Sequence, residues 1–158
     1  MTIHLVLAGD HTRVQETLLP QEPDFRVVAQ CQRGEEALRA VRQHGPDVLI
    51  LDLCLLGKDG LELLRGMRQE QLPTRAVLLT ASLHGEAVLE AVLLGVRGVV
   101  LHEMTAPQLV GCLRKVYAGD PWLESGTVGR MVETMFQREV AARELALSLG
   151  HEAIASID

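Results

Sequence analysis

Five short apolar runs alternate with segments of helical periodicity between Ile3 and Ala118, and this alternation limits the possible folds more than any other feature. The predicted strands are Ile3–Ala8, Phe25–Ala29, Val48–Leu51, Ala76–Leu79 and Val99–Leu101. The predicted helices are Thr12–Leu19, Glu35–Gln43, Leu61–Gln69, Glu86–Leu94 and Pro107–Ala118. Such alternation is typical of a parallel sheet with helices on both faces. We therefore predict an α/β fold with a five-stranded, parallel, doubly wound sheet.

The third predicted strand ends in an acid. Val48–Leu51 is apolar at every position, as expected of a strand buried on both faces, and Asp52 follows it directly. Right-handed crossovers place the carboxyl ends of all five strands at one edge of the sheet, where ligands of such folds bind. The other strands bring Asp10, Thr80 and His102 to that edge. The sequence therefore predicts a polar cluster there.

Three interpretations of this cluster follow from the residue types. Asp10 and Asp52 could bind Mg²⁺, which commonly takes one or two carboxylates plus waters and a phosphate. Paired carboxylates could instead serve a hydrolase. The groups could also simply satisfy one another at polar strand ends. A transition metal held by Asp10, Asp52 and His102 is disfavoured, and no glycine-rich phosphate loop supports nucleotide binding.

Composition bounds the remaining possibilities. The 158 residues suit a domain of ordinary size, and the 47% hydrophobic content argues against disorder. The net charge of −6 makes direct DNA binding by this segment unexpected, since duplex binding depends largely on neutralising phosphates. The cysteines Cys31, Cys54 and Cys112 have no metal-like spacing and predict free thiols in a reducing cytoplasm. No membrane span or export signal is visible.

Five segments in order resemble the receiver domain of response regulators, the CheY-like family, over roughly residues 2–121. They read LVLAGDH, PDVLILDLCLLGKDGLELL, VLLTA, GVRGVVLHE and AGDPWL. The similarity is strongest to the LuxR-type (NarL/FixJ) subfamily of transcriptional regulators. The resemblance implies a flavodoxin-like sheet of strand order 2-1-3-4-5, with residues 1–122 as the receiver domain.

The resemblance also implies roles for individual residues. Asp52 would accept a phosphoryl group from a sensor histidine kinase. Asp10, Asp52 and the backbone carbonyl of Cys54 would ligate Mg²⁺. The Thr80 hydroxyl would bond a phosphoryl oxygen as the switch residue.

Four positions depart from the family pattern. Gly9 stands where the first acid of a pair is expected, which weakens the predicted Mg²⁺ site. His102 replaces a lysine, and our hypothesis is that it acts as a weaker, pH-dependent stand-in. Val99 replaces the switch aromatic, so that a ring swing coupled to Thr80 has no moving part. Leu56 replaces a proline.

Residues 123–158 extend beyond the receiver pattern. Val128, Met131, Val132, Met135, Phe136 and Val140 follow helical spacing, and Leu145, Leu147 and Leu149 extend the pattern. We expect an amphipathic linker helix that pairs two copies of the chain or contacts another domain, in preference to one that folds back. LuxR-type regulators carry a DNA-binding helix-turn-helix after such a linker, and we expect DNA contact only through a domain absent from this chain.

The residues support two main functions. The first is the receiver of a two-component transcription regulator, favoured by Asp10, Asp52 and Thr80. The second is a phosphorylation-independent pseudo-receiver that binds proteins, favoured by Gly9, Val99 and His102. A Mg²⁺-dependent phosphatase of small molecules ranks last, because a second nucleophile-and-acid pair is missing. We therefore expect a signalling domain rather than an enzyme.

Overall fold

A five-stranded parallel sheet forms the centre of the fold. The computed structural model describes residues 1–11, 14–15, 22–53, 58–81, 85–123 and 125–157. The strands are β1 (Ile3–Ala8), β2 (Phe25–Cys31), β3 (Val48–Asp52), β4 (Arg75–Thr80) and β5 (Gly98–Leu101). Their order in the sheet is β2-β1-β3-β4-β5, and every pairing is parallel. The predicted fold class and strand order are confirmed.

The strand order fixes where a ligand site can form. Strands β1 and β3 are neighbours at the centre, paired from Leu5 with Val48 to Ala8 with Leu51. The chain leaves β1 toward β2 on one side and arrives at β3 on the other. Such a reversal opens a crevice outside the carboxyl ends of the two strands. Asp10 and Asp52 lie at those two ends.

The helices of the first unit agree with prediction except at some ends. They are α1 (Gly34–His44), α2 (Lys58–Gln69), α3 (Glu86–Leu93) and α4 (Ala106–Tyr117). Helix α2 begins three residues before the predicted Leu61, so that Gly60 lies in its first turn and not in the preceding loop. Strand β2 likewise continues two residues past Ala29. Most of the predicted helix Thr12–Leu19 lies outside the described residues, although positions 14 and 15 are helical.

The sheet is covered on both faces, because its side chains alternate between two layers. One layer includes Val48, Ile50, Val77, Val100 and, from α4, Leu109, Cys112, Leu113 and Val116. The other faces α1, α2 and α3, where a methyl placed on Gly60 would touch Leu51. Burial on both faces explains why Val48, Leu49, Ile50 and Leu51 are all 0% exposed.

The N-terminus of α4 is fixed by its own side chains. Thr105 caps the helix and accepts a hydrogen bond from the Gln108 amide, while the Gln108 side chain accepts one from the Thr105 amide. Such a capping box satisfies two otherwise unpaired donors of the first turn. It thereby holds the loop that follows β5, which carries His102.

The chain divides into two compact units, Met1–Glu124 and Ser125–Asp158. The second consists of helix α5 (Ser125–Ile157), so the predicted tail helix is present and reaches beyond Leu149. Met135, Phe136, Leu145, Leu147 and Leu149 are each more than half exposed. Of the helices described, none combines the length and hydropathy that crossing a membrane requires.

Candidate functional site

Six residues at the carboxyl ends of four strands make up what we call the carboxyl rim. They are Gly9, Asp10, His11, Asp52, Thr80 and His102. Gly9, Asp10 and His11 follow β1, while Asp52 and Thr80 end β3 and β4 and His102 follows β5. The parallel topology brings together residues that are up to 93 positions apart in the chain.

Asp52 is the central acid of the carboxyl rim. It is 6% exposed, yet it ends a strand whose four preceding residues are fully buried. Its Oδ1 lies 3.3 Å from Nε2 of His102, and the His102 side chain is 36% exposed. Burial of a carboxylate is costly unless polar partners compensate, and an imidazole beside it supplies one. The structure therefore places the His102 imidazole beside the Asp52 carboxylate.

Asp10 lies at the same cavity as this pair. A cavity of about 260 Å³ is lined by Asp10, Asp52 and His102 together with His11 and apolar side chains from β4, β5 and α4. Asp10 itself is exposed, whereas Asp52 is buried. Two carboxylates and one imidazole thus converge on one opening, whereas Thr80, the fourth residue expected at this edge, does not line it.

Thr80 is positioned by the sheet register. Leu79 pairs with Asp52, so Thr80 stands one residue beyond that pair, and it pairs with Leu101 on its other side. Its carbonyl oxygen accepts a hydrogen bond of 3.0 Å from the His102 amide. Thr80 is 5% exposed and does not line the cavity that Asp10 and Asp52 share. The backbone therefore links Thr80 to His102 directly.

The backbone conformation of Gly9 leaves no space for a side chain at this position. Its φ of +107° lies in the region that side chains rarely adopt, and a Cβ placed there would lie 2.8 Å from the Asp52 Cβ. The Gly9 amide donates to the Cys31 carbonyl at 2.8 Å, which holds this turn against β2. The backbone at position 9 consequently approaches Asp52 so closely that an acid does not fit in this conformation.

His11 is a member of the rim that the sequence analysis did not single out. It is 1% exposed, its Nε2 lies 2.8 Å from the Ala8 carbonyl, and its Nδ1 has no hydrogen-bond partner among the described residues. Burial lowers the pKa of His11, against the opposing effects of the Ala8 and Ile50 carbonyls and of Asp52 and Asp10. The position of His11 directly after Asp10 was the available sequence signal.

The remaining predicted site residues have different outcomes. Val99 is 4% exposed within β5, so no aromatic ring is available at this position to move between two environments. Cys54 and Leu56 lie outside the described residues, and so does the side chain of Lys58. The sequence contains one other lysine, Lys115, which lies on α4. Its Nζ is 5.5 Å from the centre of the Trp122 ring. It is therefore engaged away from Asp52.

The donor set suits Mg²⁺ better than a transition metal. Asp10 and Asp52 offer carboxylate oxygens, and Mg²⁺ is usually held by one or two carboxylates while keeping several waters. In the described part of the chain, no group of three or more histidine, cysteine or acidic side chains could hold a metal. The oxygen chemistry of Asp10 and Asp52 therefore suits Mg²⁺, which these two carboxylates would hold.

Comparisons with known proteins agree with this geometry. Residues 7–114 match the family described as the response regulator receiver domain. The chain is 31% identical over 119 residues to the nitrate/nitrite response regulator protein NarL of Escherichia coli K12, which covers 73% of this chain and 55% of that protein. It is 26% identical over 136 residues to the transcriptional regulatory protein LiaR of Bacillus subtilis, covering 84% of this chain and 64% of LiaR.

A solved structure extends the comparison to the fold. The crystal structure of a two-component response regulator of the LuxR family from Aurantimonas aligns with a TM-score of 0.70 and 28% identity. The alignment covers 86% of this chain and 99% of that one. The chain spans less than two thirds of the length of the two curated relatives that it matches.

Proposed function

This chain belongs to the response regulator receiver domain family, in its LuxR-type branch, and on that premise we propose that it accepts a phosphoryl group on Asp52 from a sensor histidine kinase. The observation that carries the proposal is the meeting of Asp10, Asp52 and His102 at one opening. We assign residues 1–122 to the receiver domain and residues 123–158 to a linker and dimerisation helix.

The transfer itself needs only one nucleophile. An Asp52 carboxylate oxygen forms a bond to phosphorus while the P–N bond of the kinase phosphohistidine breaks, and the electron pair stays on the kinase imidazole. Mg²⁺, held by Asp10 and Asp52, would neutralise charge on the phosphoryl oxygens. The Thr80 hydroxyl at the end of β4 would donate a hydrogen bond to one of those oxygens.

His102 takes the place of the missing lysine in this scheme. Its Nε2 is already 3.3 Å from Asp52, and an imidazolium there would donate to a phosphoryl oxygen. We expect His102→Ala to slow phosphorylation, because the substitution removes this donor from the side of Asp52. Replacing the distant, exposed His44 by alanine is the control, and equal phosphorylation rates of His102→Ala and the wild-type chain would contradict this role.

Intact-mass measurement tests the acceptor. Incubation with Mg²⁺ and phosphoramidate should add the mass of one phosphoryl group to the wild-type chain and none to Asp52→Ala. Asp47→Ala is the matched control, because Asp47 is an acid at the opposite end of the same strand. An adduct that survives Asp52→Ala would contradict the assignment.

The pseudo-receiver remains the second candidate, and the turn at Gly9 favours it. The approach of Gly9 to Asp52 leaves no room for a third acid, and Val99 offers no switch ring. A chain that binds partners without phosphate would show no adduct and no Mg²⁺ binding in the same experiment. Hydrolysis of small phosphate esters would instead support the Mg²⁺-dependent phosphatase, the least favoured function.

The partners follow from the family and from α5. We propose a cytoplasmic homodimer whose DNA contact is made by a domain outside this chain, in keeping with the acidic charge of −6. On α5, Met135, Leu145 and Leu149 fall within an arc of about 80° around the helix, whereas Phe136 and Leu147 lie about 150° from the middle of that arc. The first group has the spacing of a seam between two helices.

Sedimentation equilibrium tests the dimer. Leu145→Ser combined with Leu149→Ser should shift the chain toward the monomer, because both side chains would lose their partner in the seam. Gln137→Ser combined with Glu144→Ser, at exposed positions of the same helix, should not. A wild-type chain that is monomeric throughout would contradict the pairing.

A further inference from the structure

The outer edge of strand β5 is joined to the segment that leads into α5. Trp122 stands opposite Gly98, as a residue of an added parallel strand would. Its amide donates to the Arg97 carbonyl at 2.8 Å, and its carbonyl accepts from the Val99 amide at 3.0 Å. We call these two hydrogen bonds the Trp122 bridge. Two residues separate Trp122 from Ser125, the first residue of α5, so the bridge anchors the chain just before its second unit.

The Trp122 ring lies on the surface of α4. Two of its carbons would be 3.7 Å from a Cβ added at Gly111, and the Lys115 Nζ is 5.5 Å from the ring centre. The residue is only partly buried. Two backbone hydrogen bonds and one ring face are a small set of contacts, and elements that move are drawn from such weakly held parts of a fold.

The carboxyl end of the same strand reaches the carboxyl rim. His102 follows β5 directly, its amide donates to the Thr80 carbonyl at 3.0 Å, and its Nε2 lies 3.3 Å from Asp52 Oδ1. Val99 is three positions earlier, which is about 10 Å along an extended strand. All four residues of β5 are paired with β4. One short, continuously paired strand therefore contacts the site at its end and the Trp122 bridge at its outer edge.

A phosphoryl group on Asp52 would change what His102 contacts. The charge that His102 Nε2 now faces sits on the Asp52 carboxylate. After phosphorylation the charge would lie on phosphoryl oxygens, farther from the Asp52 backbone. The imidazole would follow that charge outward or lose its partner, since the attraction falls with distance. Either response removes the contact that joins the end of β5 to the end of β3.

We propose that Trp122 is the movable aromatic residue of this chain: its bridge is closed while His102 lies against Asp52, and it opens when Asp52 carries a phosphoryl group. This inference rests on the proposed phosphorylation of Asp52. Position 99 lacks the moving ring that the family resemblance implies there. The amide of Val99 nevertheless holds the one tryptophan of the chain, so the same strand position keeps an aromatic partner.

The bridge sets the length of the tether before α5. An anchor at Trp122 leaves two residues before the helix. With the bridge open, an anchor at Asp120, whose amide donates to the Lys115 carbonyl at 2.9 Å, leaves four. Phosphorylation at the carboxyl rim would thereby lengthen the tether of the proposed dimerisation helix.

The single tryptophan makes the bridge directly observable. The wild-type chain is incubated with Mg²⁺ and phosphoramidate, and intact mass and tryptophan emission are measured on the same sample. We expect the emission maximum to move to longer wavelength as the adduct accumulates, because the Trp122 ring leaves α4 for water. Asp52→Ala with the same reagents is the control and should show neither change.

Amide hydrogen exchange locates the change within β5. In the phosphorylated chain the Val99 amide, released from the Trp122 carbonyl, should exchange about fivefold faster or more. The Arg97 amide donates to the Ala76 carbonyl at 2.9 Å and should keep its rate.

A variant without any phosphodonor tests the coupling from the other end of the strand. His102→Ala removes the contact with Asp52 and should produce the same change in emission and the same faster exchange at Val99. His44→Ala, at an exposed position on α1, should produce neither. An unchanged Val99 amide in His102→Ala would overturn the coupling through β5.

The paired readouts separate the switch from the phosphorylation on which it rests. A mass adduct on Asp52 with unchanged emission and unchanged Val99 exchange would overturn the switch and leave the acceptor assignment standing. The absence of an adduct would overturn both. An adduct whose accumulation is matched by the shift in emission is the result that we predict.

Discussion

Strand β3 contains two neighbouring regions, residues 48–51 and Asp52, whose side chains lie in opposite kinds of environment. The side chains of residues 48–51 are 0% exposed and lie in the two apolar layers of the interior, so their contribution is burial. Asp52, the next residue, keeps a carboxylate at the carboxyl rim beside His102 and a solvent-connected cavity. The fold is specified by the first region and the chemistry by the second. The rim can therefore carry Gly9 in place of the family's acid and His102 in place of its lysine while the sheet keeps the family's strand order.

This division explains how much the sequence could predict. The unbroken apolar runs predict the strands and the topology, because burial on both faces leaves few alternatives. That topology predicts Asp10, Asp52, Thr80 and His102 at one edge of the sheet, but it does not predict that Thr80 is left out of the cavity that the other three line. The turn at Gly9 and the unpartnered His11 Nδ1 could not be predicted, because both depend on backbone torsions and distances of a few ångströms.

The largest effect that we expect is the protection of the buried Cys112 from alkylation in the folded protein. Cys112 is 0% exposed, and burial raises the pKa of its thiol to about 12, so near pH 8 it is both protonated and inaccessible. Iodoacetamide should react with Cys112 only in molecules that have unfolded. We therefore expect labelling under native conditions to be slower than labelling in denaturant by about a thousandfold or more. Peptide mass mapping over time measures this rate. Native labelling of Cys112 at a comparable rate would mean that the interior is open.

A core substitution should cost stability where a rim substitution costs function. Ile50→Ala removes a fully buried side chain between β3 and α4, and we expect the free energy of unfolding to fall by about 2 to 5 kcal/mol. Asp52→Asn, two residues on, should change stability less while abolishing phosphorylation. Urea denaturation of both variants makes the comparison. A larger loss in Asp52→Asn than in Ile50→Ala would break the division between the two regions.

Restoring the family acid at position 9 should be harmful. Gly9→Asp forces a side chain into a φ of +107° and against Asp52, and we expect a loss of about 1 to 3 kcal/mol in unfolding free energy. Gly45→Asp is the matched control, since Gly45 also has a positive φ of +54° but has no atom within 4 Å of an added Cβ. Equal losses in urea denaturation would show that the contact with Asp52 adds nothing.

The smallest effect is expected far from both regions. Arg42 and Glu70 form a hydrogen-bonded ion pair of 2.6 Å between α1 and the end of α2, but both side chains are well exposed. Solvent screening and side-chain entropy offset most of such an attraction. Arg42→Ala should leave the urea midpoint unchanged within error. A clear shift would indicate that this surface ion pair contributes measurably to the free energy of unfolding.

Reductive trapping tests the central assignment most directly. Borohydride converts an aspartyl phosphate to homoserine, and peptide mass mapping then identifies the aspartate that carried the phosphoryl group. After treatment with Mg²⁺ and phosphoramidate, we predict homoserine at position 52 and at no other aspartate. Homoserine at position 10 or elsewhere, or none at all, would contradict the role proposed for Asp52.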